Sequence, residues 1–270
     1  MKTIDQSRDS FSFARLQALT RRYFVENRRA MLTGALCTIG VLALIGILVG
    51  RYTDDPTDSV SSAAVYGVIA FYLFPLFACI TGSLTFGPFK SKTGRIHAMM
   101  LPATKSEKFV MLTFIYTVLA DLIYIIGYFI GELLRALLSS GPILWNAPLI
   151  SDVWDMFAAE PGEATLAVAG VVLLILSHQA IYTLGSSLWP RLSFIKTFGA
   201  LFVLQFAGAF LIPVIGMTDL IDLLEKMFTN TSVTMLIFWA EIVWLIVVAA
   251  LYTGAWLRFR HLQVVQRLLN

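Results

Sequence analysis

Three ionisable residues lie inside long apolar runs of the sequence: Asp121, His178 and Glu241. A charge in the middle of a membrane helix costs roughly 2.5–3.5 kcal/mol, so such residues usually face the interior of a helix bundle or a wet cavity. At the helical rise per residue, Asp121 lies about 18 Å from the start of its run and Glu241 about 12 Å from the start of its own, and His178 lies near the middle of its run. We therefore expect the three residues at similar depth. Two interpretations stay open: a polar patch on a substrate path or dimer seam, and hydrogen bonds that hold helices together.

The sequence offers no motif for an enzyme. HExxH and GxSxG patterns are absent, and the three histidines are scattered. The segment 87–93, GPFKSKT, superficially resembles a phosphate-binding loop, but Ser91 stands where a glycine should precede the lysine. Cys37 and Cys79 lie in apolar runs without the neighbours that a disulfide or zinc site needs. We predict no catalytic residue, no metal site and no cofactor in this chain.

The composition indicates an integral membrane protein. Of 270 residues, 58% are hydrophobic and 14% are charged, and the mean hydropathy is +0.78. Soluble domains carry about 25% charged residues, which is almost twice as many. Residues 1–29 are polar and lack the apolar core of a signal peptide, so we expect no cleaved leader.

The apolar runs predict an all-α, polytopic membrane protein with six transmembrane helices. An arginine-rich segment, 1–29, precedes them and has the apolar stripe of a helix that lies at the membrane interface. The transmembrane domain covers 30–257, and a basic tail follows at 258–270. The predicted spans are 30–50, 59–89, 109–131, 164–189, 197–218 and 233–257. Two GxxxG pairs, Gly46/Gly50 and Gly127/Gly131, indicate close contact between helices.

The charges predict the orientation of these spans. Seventeen of the 20 lysines and arginines fall in the N-terminal segment, the second and fourth connections and the C-terminal tail. Basic residues accumulate on the cytoplasmic side of membrane proteins. We therefore predict a multi-pass protein of the inner (plasma) membrane with both termini in the cytoplasm. Membrane lipids are expected partners, and nucleic acid is not.

The longest predicted cytoplasmic connection, 90–108, is strongly basic. Pro102 is expected to interrupt it sharply, with a short helix before it and the third span after it, capped by Thr104 or Ser106. Apolar side chains of that short helix could dock into a groove of a soluble partner or pack on the membrane face. The residues predicted to couple to a partner are Arg95, Ile96, Met99, Met100, Leu101, Pro102, Lys105, Glu107 and Lys108.

Three stretches of the sequence resemble a known family. The stretch LPATKSEKF before the third span, GSSLWPRLSFIKT between the fourth and fifth, and LYTGAWLRFRHLQ near the end are similar to small bacterial membrane proteins. Those proteins resemble permease subunits of type-2 ABC exporters. The resemblance implies an interfacial helix at 11–29, a coupling element at 90–108 and a membrane-dipping segment at 219–228. No motif for substrate recognition accompanies it.

Together these patterns predict the permease subunit of an ATP-driven exporter for an amphipathic or lipid-like compound. The chain has no ATPase motif, so a separate ABC-type nucleotide-binding subunit is expected to hold ATP and magnesium. A second permease subunit, identical or different, would complete the path. Two alternatives remain: a membrane scaffold or sensor component that transports nothing, and a proton-coupled transporter that uses Asp121, His178 and Glu241.

Overall fold

The computed structural model describes residues 11–52, 62–138, 158, 161–214 and 233–261. Over these residues the chain is helical and contains no strand. We number the helices in chain order. They are α1 Phe13–Glu26, α2 Arg28–Tyr52, α3 Ser62–Leu84, α4 Lys92–Met100, α5 Lys105–Leu138, α6 Pro161–Leu188, α7 Ser193–Val214 and α8 Val233–Arg260.

Five of these helices, α2, α3, α5, α6 and α8, are long and apolar enough to cross a membrane. This indicates a multi-pass membrane protein, as predicted. In α7 the described apolar stretch, Ser193–Ala209, is shorter than a span requires. A sixth span, the interfacial position of α1 and the cytoplasmic termini therefore stay predictions. The expected membrane-dipping segment at 219–228 and most of the tail at 258–270 lie outside the described residues.

Several helices begin or end at residues other than those predicted. The second span is shorter than the run 59–89, because the chain leaves α3 at Leu84 and forms a 3-10 turn at Gly87–Phe89. The third span, formed by α5, is longer than predicted: the helix starts at Lys105 and continues to Leu138, past the expected end at residue 131. The charged residues that follow position 131 do not end the helix, because they pair with each other inside the bundle.

Small residues bring α2 and α5 together in the most extensive helix pair of the described chain. A Cβ atom at Gly46 would run into the backbone of Gly131, and one at Gly50 would meet the backbone of Arg135. A Cβ atom at Gly127 would lie 2.9 Å from Leu42. Without Cβ atoms at these positions the two backbones can touch, which confirms the close contact predicted from the glycine pairs.

Helix α6 packs against α3, α7 and α8. Its buried surface is polar for a membrane helix and includes Gln179 and Thr183. Thr183 lies within 3.5 Å of Thr85, which follows α3. Hydroxyl groups on α6 also donate to carbonyls of their own helix, as Ser186 does to Thr183 at 2.8 Å. These bonds satisfy the hydroxyls locally and leave the helix faces free to pack closely.

Candidate functional site

The segment between α3 and α5 forms a compact element with defined ends. Ser91 caps α4, and its hydroxyl accepts a hydrogen bond from the Gly94 amide at 2.9 Å. The helix ends at Met100, and Leu101 is extended, with φ −64° and ψ 134°. A residue before proline is pushed out of the helical region by the proline ring, so Pro102 accounts for this ending. The predicted short helix before Pro102 is therefore confirmed, with Leu101 just beyond its end.

Helix α5 opens with a capping box. The Thr104 hydroxyl accepts from the Glu107 amide at 3.2 Å, and the Glu107 carboxylate accepts from the Thr104 amide at 2.9 Å. Of the two predicted caps, Thr104 is thus the one used. The pair satisfies two amide groups that an uncapped helix would leave without partners.

The second oxygen of Glu107 holds the N-terminal helix. It accepts from the Ser12 amide at 2.8 Å and from Nε of Arg15 at 3.2 Å. Glu107 is fully buried, while the Arg15 side chain is about one-third exposed. One carboxylate therefore joins the first turn of α1 to the first turn of α5, with partners at both of its oxygens.

An aromatic cluster packs beneath this carboxylate. Its rings come from the segment after α3, from α5 and from the end of α8, and they are Phe86, Phe89, Phe109, Trp256 and Phe259. Phe86 and Phe259 are stacked with centroids 5.2 Å apart, and both are buried. Leu19 of α1 belongs to the same core. The element is therefore fixed to the bundle by apolar burial as well as by hydrogen bonds.

Two further contacts gather the basic segments at one end of the bundle. Arg191, in the connection between α6 and α7, donates to the carbonyl of Lys90 at 3.2 Å. Lys105 donates to the carbonyl of Arg260, at the end of α8, at 2.7 Å. We call this end, which carries α1, α4, residues 190–192 and the end of α8, the basic end. That it faces the cytoplasm stays a prediction.

The predicted coupling residues divide by exposure. Met100, Pro102 and Lys105 are exposed, and Arg95, Ile96 and Leu101 are half-buried. Met99 lies in α4, but its side chain is outside the described part of the chain. Glu107 and Lys108 are buried within the chain, at 0% and 6% exposure. These two side chains therefore lie inside the element. Its outer surface is formed by the other described residues of the predicted set.

The three ionisable residues of the apolar runs do not gather at one place. Asp121 accepts a hydrogen bond from Nε2 of Gln179 on α6 at 2.7 Å. His178 is half-buried, and its Nδ1 lies 2.7 Å from the carbonyl of Leu174 in its own helix. A Cβ atom at Gly170 would lie 3.2 Å from Glu241, so that carboxylate lies about nine residues along α6 from Gln179. Nine residues of helix span about 14 Å. The expected convergence is therefore wrong for these side chains.

A π-helical turn, Ile115–Leu119, ends two residues before Asp121 in α5. Such turns widen a helix by one residue and occur frequently at functional sites. Here the turn contains Thr117, which is buried and donates to the carbonyl of Thr113 at 2.6 Å. The hydroxyl of Tyr252 on α8 lies beside Thr117 and near Asp121. Asp121 is thus hydrogen-bonded to an uncharged side chain of α6 and has the Tyr252 hydroxyl of α8 nearby.

A second buried polar group, at the opposite end of the bundle, was not predicted. Arg135 donates to both oxygens of Glu132, at 2.9 and 2.7 Å, and to the Ser62 hydroxyl at 2.7 Å. Arg135 and Glu132 are almost completely buried. The sequence does contain a signal for this pair: two opposite charges stand three residues apart, directly after an apolar run. Gln179, also missed, is an amide in the middle of a span beside His178.

The described residues contain no group of three or more His, Cys, Asp or Glu side chains placed to hold a metal ion. Among them, Cys37 is exposed, Cys79 is buried, and both are free thiols. No protein-family model, curated protein or solved structure matches this chain.

Proposed function

We propose that the chain is the membrane-spanning permease subunit of an ATP-driven, ABC-type exporter. In this proposal the segment 90–108 couples to a separate ATPase, which supplies the ATP and magnesium chemistry. The buried Glu107 carboxylate is the observation that carries the proposal, because it joins α1 and α5 directly beside the exposed part of this segment.

A coupling element must transmit displacement instead of absorbing it. Helix α4 is separated from α5 by only four residues, and one of them is Pro102, whose backbone is restricted. Helix α5 then continues for 34 residues through the bundle. A push on α4 would therefore move the start of α5, and through Glu107 it would also move α1.

The outer surface of the element suits a protein partner. The side chain of Met100 is 80% exposed, next to the half-buried Leu101 and the exposed Pro102. Flexible apolar side chains of this kind adapt to grooves in partner proteins. The exposed cations Lys90, Lys92 and Lys105 belong to the same segment and would complement an acidic rim.

The proposal includes a second permease subunit, identical or different. Helix α8 leaves most of its apolar side chains uncovered: Trp239, Val243 and Ile246 are each more than half exposed. Lipid or another subunit would cover this face in the membrane. An amphipathic substrate moving along such a seam is the transport path that we infer.

The test is co-purification of an ATP-hydrolysing subunit with the full chain, before and after single substitutions. Met100→Glu places a carboxylate in the proposed apolar contact, and we expect at least about a tenfold loss of partner, equal to about 1.4 kcal/mol. Tyr52→Glu is the matched control, because Tyr52 is 81% exposed at the opposite end of the bundle. It should leave the complex intact.

The other outcomes separate the alternatives. Loss of the complex only with Tyr52→Glu would place the opposite end in the cytoplasm and remove the coupling role from α4. Transport that needs a proton gradient but no ATP would support the secondary transporter. A stable protein with neither an ATPase partner nor transport would support the scaffold or sensor.

A further inference from the structure

A cavity of about 610 Å³ lies between α2, α3 and α5, in the half of the bundle nearest the basic end. We call it the lower cavity. Its lining is largely apolar, and Gly34 and Ala35 keep the wall formed by α2 thin. Val41, Leu76 and Ile80 line it and are 43–55% exposed, so it opens sideways between α2 and α3. This size is typical of ligand sites.

A second cavity of about 350 Å³, the upper cavity, lies between α1, the turn Gly87–Phe89, α4 and the start of α5. Lys108 and His97 line it, together with Glu26. Glu26 is already bonded to Arg22 of its own helix, at 2.6 Å. Lys108 is 6% exposed, so its ammonium group is largely withdrawn from water. A withdrawn ammonium attracts an anion more strongly than a solvated one does.

The two cavities adjoin, because Asn27 and Tyr116 line both of them. At their boundary the hydroxyls of Tyr23 and Tyr116 lie 3.0 Å apart. Burial raises the pKa of Tyr23 above its usual value, and the neighbouring Tyr116 raises it further. Tyr23 therefore stays neutral and can share hydrogen bonds with a polar group at the boundary. The pair of cavities offers an apolar compartment next to a polar one that contains the Lys108 ammonium group.

We propose that these cavities bind one membrane lipid with an anionic head group. An acyl chain enters the lower cavity through the opening between α2 and α3, and the head group lies in the upper cavity near Lys108. The sideways opening favours a molecule already in the bilayer, and the change from an apolar lining to a polar one with a buried ammonium group matches a chain joined to a phosphate. This binding needs no ATPase, so it stands apart from the proposed transport.

The test measures lipid binding by the full chain in detergent micelles with native mass spectrometry. Phosphatidylglycerol, which is anionic, is titrated in parallel with phosphatidylcholine of the same acyl chains. We expect one molecule of phosphatidylglycerol to bind about fivefold more tightly than phosphatidylcholine, the effect of one lysine close to an anionic lipid. Lys108→Gln should reduce this preference to about one, and Lys108→Arg should restore it.

A substitution in α2 tests the lower cavity separately. A side chain at Gly34 would enter open space, because a Cβ atom there meets nothing within 4 Å. Gly34→Phe should therefore fold, fill the lower cavity and weaken both lipids at least about tenfold. Gly40→Phe is the matched control: Gly40 lies in the same helix with equally open surroundings, but it does not line the cavity. Its lipid affinities should equal those of the unsubstituted chain.

Two results would overturn the proposal. Equal affinity of the unsubstituted chain for the two lipids would exclude recognition of an anionic head group. Equal lipid binding by Gly34→Phe and Gly40→Phe would exclude the lower cavity as the site of the chain. Neither result uses a Lys108 variant. The proposal can therefore still be tested if Lys108→Gln or Lys108→Arg fails to fold.

Discussion

Substitution of Glu107 by glutamine should release α1 from the bundle. The carboxylate accepts from the amides of Ser12 and Thr104 and from Arg15, and it is fully buried. Glutamine keeps one acceptor oxygen but places an NH₂ group where the second oxygen was. That group faces donors and cannot accept from them.

The expected cost follows from these bonds. A hydrogen bond to a charged group contributes about 1.5–3 kcal/mol, and a buried donor left without a partner costs a similar amount. Apolar contacts of Leu19 with the aromatic cluster remain, so α1 loses part of its docking free energy and not all of it. We expect a loss of about 2–3 kcal/mol, which corresponds to a roughly 30- to 140-fold rise in the population of the undocked helix.

Hydrogen exchange at the amides of Ser12 and the first turn of α1 measures this population directly. The control is Glu26→Gln, the same substitution in the exposed pair that Glu26 forms with Arg22. Exposed pairs contribute at most about 1 kcal/mol, so in this variant amide exchange in the first turn of α1 should rise less than about fivefold. If the two variants raised exchange in the first turn of α1 equally, Glu107 would not hold α1, and the coupling proposal would lose its main support.

Three further predictions concern the interior of the bundle. Gly131→Ala should lower thermal stability, by an amount equal to about 1–3 kcal/mol, because its Cβ would run into Tyr66 of α3 and the Leu42 carbonyl of α2; Gly40→Ala, which meets open space, should not lower it. Arg135→Met should destabilise by about 3–5 kcal/mol because it leaves Glu132 buried and unpaired, and adding Glu132→Leu should recover much of that loss in the same unfolding assay. Asp121→Asn should preserve ATP-dependent transport in proteoliposomes, since an amide can still bond across the helices; its abolition would show that the carboxylate itself is required.

The helical architecture could be predicted because a run of apolar residues acts locally. Residues 28–52 contain enough apolar side chains to span a bilayer whatever surrounds them. Local rules also predicted the short helix before Pro102, the Thr104 cap and the approach of the paired glycines. Each of these features depends on residues that are adjacent in sequence or on two glycines four positions apart.

The same local rules misplaced the end of the third span, which α5 forms. From sequence, Glu132 and Arg135 are expected in the connection after the third span, since charges usually end a span. In the structure they neutralise each other, and Arg135 also donates to Ser62 of another helix, so α5 continues to Leu138. The error arose because a charge with a buried partner no longer requires water.

The expected meeting of Asp121, His178 and Glu241 failed for a related reason. Depth along a helix can be estimated from sequence, but the direction of a side chain depends on how the helices rotate against each other. Asp121 bonds to Gln179, whereas the neighbouring residue His178 is only half-buried and its ring bonds to a carbonyl of its own helix. Consecutive residues of a helix point about 100° apart, so one can contact another helix while its neighbour does not.

The amino-acid sequence by itself determined that this chain is helical, strongly apolar and divided into long runs, with its cations concentrated in alternate segments. Only the tertiary structure decided which polar groups have partners. The Ser12 amide and Glu107 are 95 residues apart in sequence, and Gln179 and Asp121 are 58 apart. A hydrogen bond acts over about 3 Å and depends on direction. Partners of this kind are chosen by the packing of whole helices, which no short stretch of sequence specifies.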